Sequence, residues 1–467
     1  LHPPRPVREL ADIETTVPAF TSMKSTARIT RRFAGLALLA LTALLPASLV
    51  AQAFIFNAPS GAWSDSGNWD HRDLLGNFPD RYYSYYAAGD VPDLADDAYI
   101  IGGRTATLGT GTSGSAYRVY IGEGPNFTSP QSSGTLNITG GDLTSSNGYI
   151  QYGGTVNVSA GTWFVSDNTP QSLLHIYNGA LNLTGTGVVQ VGLNSVGTLS
   201  MEPSSGTAVL NIGTGGTAGT LAAARIVGNG NAVVNFNHTG DVTFDTRLTG
   251  LLSVTKSGVG TTVLTGANTY AGESGNTYSG GTIINEGTLV AGGGFSGTKS
   301  SLGTGTVTVN DGGTLAGNDH ITGHTTITEG GHLAPDAGGV FRFDAGLTLE
   351  DGAILDLSLG SGPPFSILVN GGVFNAAGII TVNLTDSGDF AAGTPYTLID
   401  FNGAITVNNT ATFQLGTQIA GFTTVLSFDG NSLVATATVA PAVPEPSTYA
   451  ALAGLGALAF AFTRRRR

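Results

Sequence analysis

The stretch Gly134-Thr-Leu-Asn-Ile-Thr-Gly-Gly-Asp-Leu143 returns as Gly154-Thr-Val-Asn-Val-Ser-Ala-Gly-Thr-Trp163 and again as Gly179-Ala-Leu-Asn-Leu-Thr-Gly-Thr-Gly-Val188. The second copy follows the first at an offset of 20, and the third follows the second at 25. Farther on, Gly305-Thr-Val-Thr-Val-Asn-Asp-Gly-Gly-Thr-Leu315 matches Gly323-His-Thr-Thr-Ile-Thr-Glu-Gly-Gly-His-Leu333 at an offset of 18. Gly-Thr-Leu itself starts at 134, 197, 219, 287 and 313. Inside each copy apolar and polar residues alternate, and Gly, Asn, Asp or Ser bounds the run, which is the signature of short strands separated by turns. Thr306–Val309, Ile354–Leu359 and Ile380–Leu384 read the same way.

A period near 20 with two or three short strands suits one coil of a right-handed parallel β-helix. A single coil cannot bury its inner face, but stacked coils can. Leu136 and Ile138, Val156 and Val158, and Leu181 and Leu183 are expected inside, with the intervening Asn and Thr outside. Glycine is expected at the corners, which accounts for 70 glycines in 467 residues. At roughly 20 residues per coil the body holds about 19 coils at most, a rod near 90 Å or somewhat less. The fold class expected is therefore all-β.

Composition excludes several classes. With no cysteine there is no disulfide scaffold and no thiolate chemistry. Lys plus Arg number 19 against 32 Asp plus Glu, which argues against nucleic acid as a partner. The basic charge sits at the ends. Residues 1–53 hold six basic side chains and 464–467 four more, so the body 54–443 carries nine against 28 acidic ones.

The first end reads as a signal peptide, 23–53. Lys24, Arg28, Arg31 and Arg32 precede the apolar run Phe33–Leu45, and Ala51 and Ala53 form a small-x-small site with cleavage after Ala53. The strongly apolar character of this run favours the Sec translocon over a twin-arginine route. Residues 1–22 precede Met23 and are expected to be an upstream extension outside the fold.

At the other end Pro444, Glu445 and Pro446 lead into the apolar stretch 449–462, and Arg464, Arg465, Arg466 and Arg467 follow. The stretch is short for a span, yet basic residues held on the cytoplasmic side stop transfer. Motif, short span and arginine cluster together resemble the PEP-CTERM sorting signal of Gram-negative bacteria. The resemblance covers 444–467. It implies a transient membrane anchor through a short transmembrane helix, processing by an exosortase and export to the cell surface or beyond, often beside exopolysaccharide.

Part of the body resembles the passenger-associated-transport repeat of autotransporter passengers. The residues are Gly266-Ala-Asn-Thr-Tyr270 and Tyr278-Ser-Gly-Gly-Thr-Ile-Ile-Asn-Glu-Gly-Thr-Leu289, and the likeness extends loosely over 266–335. The repeat implies a surface β-helix. Here Asn268-Thr-Tyr is doubled by Asn276-Thr-Tyr, and the eight-residue insertion is expected to bulge. Type V self-secretion is not expected, since the body is followed by the segment 444–467, too short for a translocating barrel.

Residues 54–110 are expected to cap the first coil, with Trp63 and Trp69 over its open end. Trp63-x5-Trp69 with Asp96-Asp97-Ala98 resembles the opening of bacterial repeat proteins; a carbohydrate-stacking platform, including Tyr82, Tyr83, Tyr85 and Tyr86, is the other reading. Coils are placed at 111–376, and a β cap with linker at 377–443.

Chemistry is thin. His320, His324, His332 and Asp336 lack a metal-binding arrangement if they lie on strands, where residues four apart are about 13 Å distant. Asp93, Asp96 and Asp97 could hold calcium, but no calcium-binding repeat accompanies them. No catalytic, cofactor or metal residues are assigned. Asn-x-Ser/Thr triplets at Asn126, Asn137, Asn157, Asn182 and Asn383 read as outward strand positions. The expected function is a non-enzymatic surface or matrix protein associated with exopolysaccharide. An adhesin and a carbohydrate-active lyase or hydrolase are the alternatives.

Overall fold

The computed structural model describes residues 53–75, 82–87, 90–122, 132–166, 173–266, 275–292, 300–360, 365–388, 390–401, 403–404, 406–440 and 446–465. The expectations for residues 1–52, including the signal helix, and for the inserted loop at 267–274 lie outside them. All described residues fall in one compact unit, Val50–Arg467.

The body is a parallel β-helix with three faces. One face stacks fourteen strands among the described residues, from Ser60–Ala62 through Thr135–Ile138, Gly154–Val158 and Gly179–Leu183 to Thr406–Asn409. A second face carries, among others, Val188–Val191, Gly287–Ala291, Gly313–Gly317 and Ile354–Leu359. A third runs through Asp97–Ile100, Leu173–Ile176, Thr198–Met201 and Arg225–Gly228 to Phe365–Val369. Thr135–Ile150 turns two corners without leaving strand conformation and so serves all three faces.

The sequence repeats are the registers. Asn137 opposes Asn157, and Asn157 opposes Asn182, at the expected offsets of 20 and 25. Thr314 opposes His332 at the expected 18. The bound of about 19 coils is not reached, because coils also lengthen: Asn182 opposes Asn211, and Asn375 opposes Asn408. These steps of 29 and 33 come from extra residues at the corners, so fewer coils fit than a constant 20 allows. Nor does Gly-Thr-Leu mark one face. Its copies at 134, 197 and 287 begin strands on the first, third and second faces respectively. The tripeptide marks a corner entering a strand.

Every residue expected inside is fully buried: Leu136, Ile138, Val156, Val158, Leu181 and Leu183 are each 0% exposed. They belong to one continuous apolar core running the length of the stack. Burial of an aliphatic side chain contributes about 1.5–3 kcal/mol, which offsets the ordering of strands too short to stand alone. The corners require glycine where backbone meets backbone. Gly161 has φ +79°, and a Cβ there would lie 2.0 Å from Gly141 O in the coil before.

Both ends of the stack are closed by antiparallel strands. The first strand, Ala53–Phe56, pairs in parallel with Asp97–Ile100 and antiparallel with Trp69–Leu75, which pairs antiparallel with Tyr82–Ala87. Trp63 and Trp69 pack edge to face at 4.8 Å, and Phe54 and Phe56 surround Trp69. Both indoles are buried, so neither offers a ring face to a ligand. At the far end Pro395–Asp400 pairs antiparallel with Ser432–Val439, which forms a hairpin with Phe422–Asp429. The chain continues to one helix, Pro446–Arg464.

Candidate functional site

Pro446 opens the C-terminal helix, where a residue without an N–H costs nothing. Pro444, Glu445, Arg466 and Arg467 lie outside the described residues, as does Ala51. Arg464 ends the helix and Arg465 follows it, both exposed. Leu452, Leu455, Leu458, Phe460 and Phe462 are all well exposed on this helix. No helix among the described residues is long and apolar enough to cross a membrane. The short helix stands where the sequence places it, but its reading as a membrane span finds no support here; its flanking Ser447, Thr448, Thr463 and Arg464 dilute the apolar stretch. Ala53 is the first residue of the first strand and stands opposite Asp97 and Arg72.

His320, His324 and His332 divide among different elements of the stack. His320 lies on the third face, 3.5 Å from Asp344. His324 is bonded through Nε2 to Thr348 Oγ1 at 3.0 Å. His332 lies on the second face and meets Asp356 at 2.6 Å. A corner separates 320–321 from the next strand, 325–327, so the assumption of one strand carrying His320 and His324 fails. The acidic group at 93–97 is also divided. Asp93 and Asp96 close a turn through Asp93 N–H to Asp96 Oδ2 and Ala95 N–H to Asp93 Oδ1. Asp97 instead receives a bidentate pair from Arg118, at 2.8 and 2.6 Å.

The second Asn-Thr-Tyr copy is structural. Buried Asn276 accepts from Leu248 N–H at 2.8 Å and donates to Ser301 O at 2.6 Å, stitching three coils. Tyr278 is fully buried, with its hydroxyl 2.6 Å from Thr282 Oγ1. The motif thus fills a coil interior while leaving no polar atom of Asn276 or Tyr278 to be satisfied by a ligand.

Two columns of side chains run along the outside. On the first face Asn157 donates to Asn137, Asn182 to Asn157, Asn211 to Asn182 and Asn235 to Asn211, at 2.7–3.0 Å. Asn157, Asn182 and Asn211 each use the N–H on one neighbour and the oxygen on the other. On the third face Tyr99, Tyr120, Tyr149 and His175 stack in register, with ring centroids 4.6, 4.8 and 5.2 Å apart and planes within 11°. Tyr177 lies parallel to His175 at 5.3 Å. Burial lowers the His175 pKa below the ordinary imidazole value, so the ring enters the stack neutral. Burial, with nearby Glu202 and Tyr149, raises the phenol of Tyr177; burial likewise raises that of Tyr149. These hydroxyls stay protonated in neutral solution.

A groove of about 660 Å³ opens where this stack reaches the corner, lined by Tyr120, Tyr149, Gln151, Tyr152, Tyr177, Glu202, Pro203, Ser204 and Asn229. Gln151, Tyr177, Glu202 and Asn229 occupy equivalent positions in successive coils, each backbone N–H bonded to the coil before. This column is not legible in the sequence, because its members differ in chemistry and share no motif. The signal available was the Tyr at 99, 120 and 149, spaced like the coils.

A second site was also missed. Lys256 occupies an inward position between Phe236 and Ile284, where alternation places apolar residues. It is fully buried and donates to Gly258 O and, at 3.3 Å, to Glu286 O. Burial pushes its pKa down to about 8. Nearby His238 is also buried, held by Gly240 O and Thr262 Oγ1 at 2.7 Å each.

Comparison with known proteins bears on both ends of this picture. Residues 442–467 match the family model of the PEP-CTERM protein-sorting motif. Over 202 residues, 41% of the chain, the sequence is 33% identical to an adhesin autotransporter, BmaC, of Brucella suis biovar 1 (strain 1330). The match spans only 6% of that protein's length. The chain therefore carries a PEP-CTERM sorting motif behind a body similar to an autotransporter adhesin, and the motif implies export to the envelope or surface of a Gram-negative bacterium.

Proposed function

We propose that this chain is the precursor of a non-enzymatic surface or matrix protein that associates with extracellular polysaccharide. The Sec translocon carries it outward, the helix at 446–464 holds it in the membrane for a time, and an exosortase acting at Pro444-Glu445-Pro446 releases the body. The observation that carries this reading is the sorting motif placed directly behind a capped β-helix. The short helix suits a segment retained only until processing, with Arg464–Arg467 as the stop-transfer cluster. The outward columns of amides, hydroxyls and rings suit a display surface. A hydrolase needs paired carboxylates; the groove at the tyrosine stack has Glu202 as its one carboxylate.

The test is replacement of Pro444, Glu445 and Pro446 by alanine in a host that supplies an exosortase. The expected result is an unprocessed chain retained in the membrane fraction. Processing and release at the normal rate would overturn the sorting step. A second reading, an adhesin, is favoured by the similarity to the Brucella autotransporter. Binding of the exported protein to neighbouring or host cells, absent on polysaccharide-coated beads, would select it.

A further inference from the structure

We propose that the corner groove formed by Tyr149, Gln151, Tyr152, Tyr177, Glu202 and Asn229 is a binding site for a neutral polysaccharide chain. The assignment rests on the polysaccharide-associated reading above and gives it a location.

These six residues supply three phenols, two amides and one carboxylate. Sugar rings present hydroxyl rims, which amides and carboxylates bond, and C–H faces, which aromatic rings cover. Gln151, Tyr177, Glu202 and Asn229 follow one another along the stack. At about 4.8 Å per strand they span roughly 14 Å, a length suited to a linear ligand of a few sugar rings.

Charge then selects among polysaccharides. The body carries nine basic against 28 acidic side chains, and Glu202 sits inside the groove. An acidic chain is repelled. A lone carboxylate is a poor cation site, and Glu202 already accepts the Ser200 hydroxyl. A neutral chain meets neither obstacle.

The walls are also set in advance. Tyr149 and His175 are stacked, and Tyr177 closes the stack. Tyr152 has φ 42°, in the left-handed region that a bulky residue seldom occupies. Such an outlier is held by its surroundings and is common at ligand clamps. Rings fixed before binding lose little freedom on binding.

The experiment uses the full chain and its Tyr177→Ala and Glu202→Gln variants, each checked for unchanged thermal unfolding. The probes are neutral hexasaccharides of glucose, mannose, galactose and N-acetylglucosamine, with a hexauronate as the acidic control. At least one neutral probe is expected to bind, to weaken about tenfold or more in each variant, and to exceed the hexauronate. A preference for the hexauronate, or neutral binding untouched by both variants, overturns the site. Co-sedimentation with the extracellular polysaccharide of the expressing cells separates the two levels. Retention of wild type and both variants alike sinks the groove and leaves the broader function standing. Failure of the wild type to co-sediment, with no neutral probe bound, sinks both.

Discussion

One outward position on the first face is occupied differently along the stack. From Thr107 it runs Asn137, Asn157, Asn182, Asn211 and Asn235, then changes to Thr255, Ile283, Thr308, Thr326 and Thr348 before Asn375 and Asn408. Asparagine is a poor strand former, whereas Thr and Ile are good ones. The first region therefore sets a weak local preference against a chain of amide hydrogen bonds that polarise one another. The second relies on β-branched stiffness. The lesson is that register can be held in two ways over the same core. A one-residue slip would break the amide chain at every rung, but would alter the Thr column only by exposing the inner face. Lys256 stands at the boundary, buried in the core column just where the Asn column ends.

The largest expected effect comes from the core at that boundary. Phe236 is fully buried and packs edge to face on Phe244 at 5.0 Å. Phe236→Ala should cost about 3–5 kcal/mol in denaturant unfolding. A cost below about 1 kcal/mol would mean that the two regions do not share one core. Next, Asn182→Ala strands the oxygen of Asn157 and the amide of Asn211 and should cost about 1–3 kcal/mol. Hydrogen exchange should quicken in 154–212. Thr326→Ala should do distinctly less, and equal losses would show that the amide chain adds nothing.

Smaller still is a pH effect from Lys256. Its folded pKa of about 8 lies below the ordinary 10.5, so in that window the unfolded chain holds more protons and stability rises with pH. The gain should reach about 1–2 kcal/mol by pH 9.5 and disappear in Lys256→Met. Above pH 10 the trend reverses, because burial raises the phenols of Tyr99 and Tyr278 and pushes Tyr120 up to about 12. The unfolded chain then loses those protons first. Thermal midpoints across pH 7–11 would show a rise followed by a fall; a flat profile contradicts the buried lysine. The smallest effect is Thr255→Asn, which extends the amide column by one rung and should stabilise by a few tenths of a kcal/mol at most.

Much of the fold was legible because the repeat spacing and the alternation are the coil itself. Leu136 and Ile138 inside, with Asn137 between them outside, follow directly from a period of two. Ile354–Leu359 has the bounds the pattern gives. Coil length was less legible, since corner residues carry no periodicity and Phe374 does not meet its partner until Val407. The candidate groove was hidden for a related reason. Gln151, Tyr177, Glu202 and Asn229 are neighbours only after the coils are stacked. The Trp63 and Trp69 pair was visible as a pair, but which way the rings faced depended on the antiparallel strand Trp69–Leu75.

The unequal coils also bear on mechanics. Each coil is bonded to the one before and the one after, so a pull on one end loads a single interface at a time. A coil of about 25 residues that comes free releases roughly 85 Å of chain. Along the body the force to detach a coil should vary, with the amide-linked coils giving way later than those faced with threonine. A tethered molecule built this way would answer shear by paying out slack in steps, and the antiparallel hairpin at 422–439 would set the load at which the first step begins.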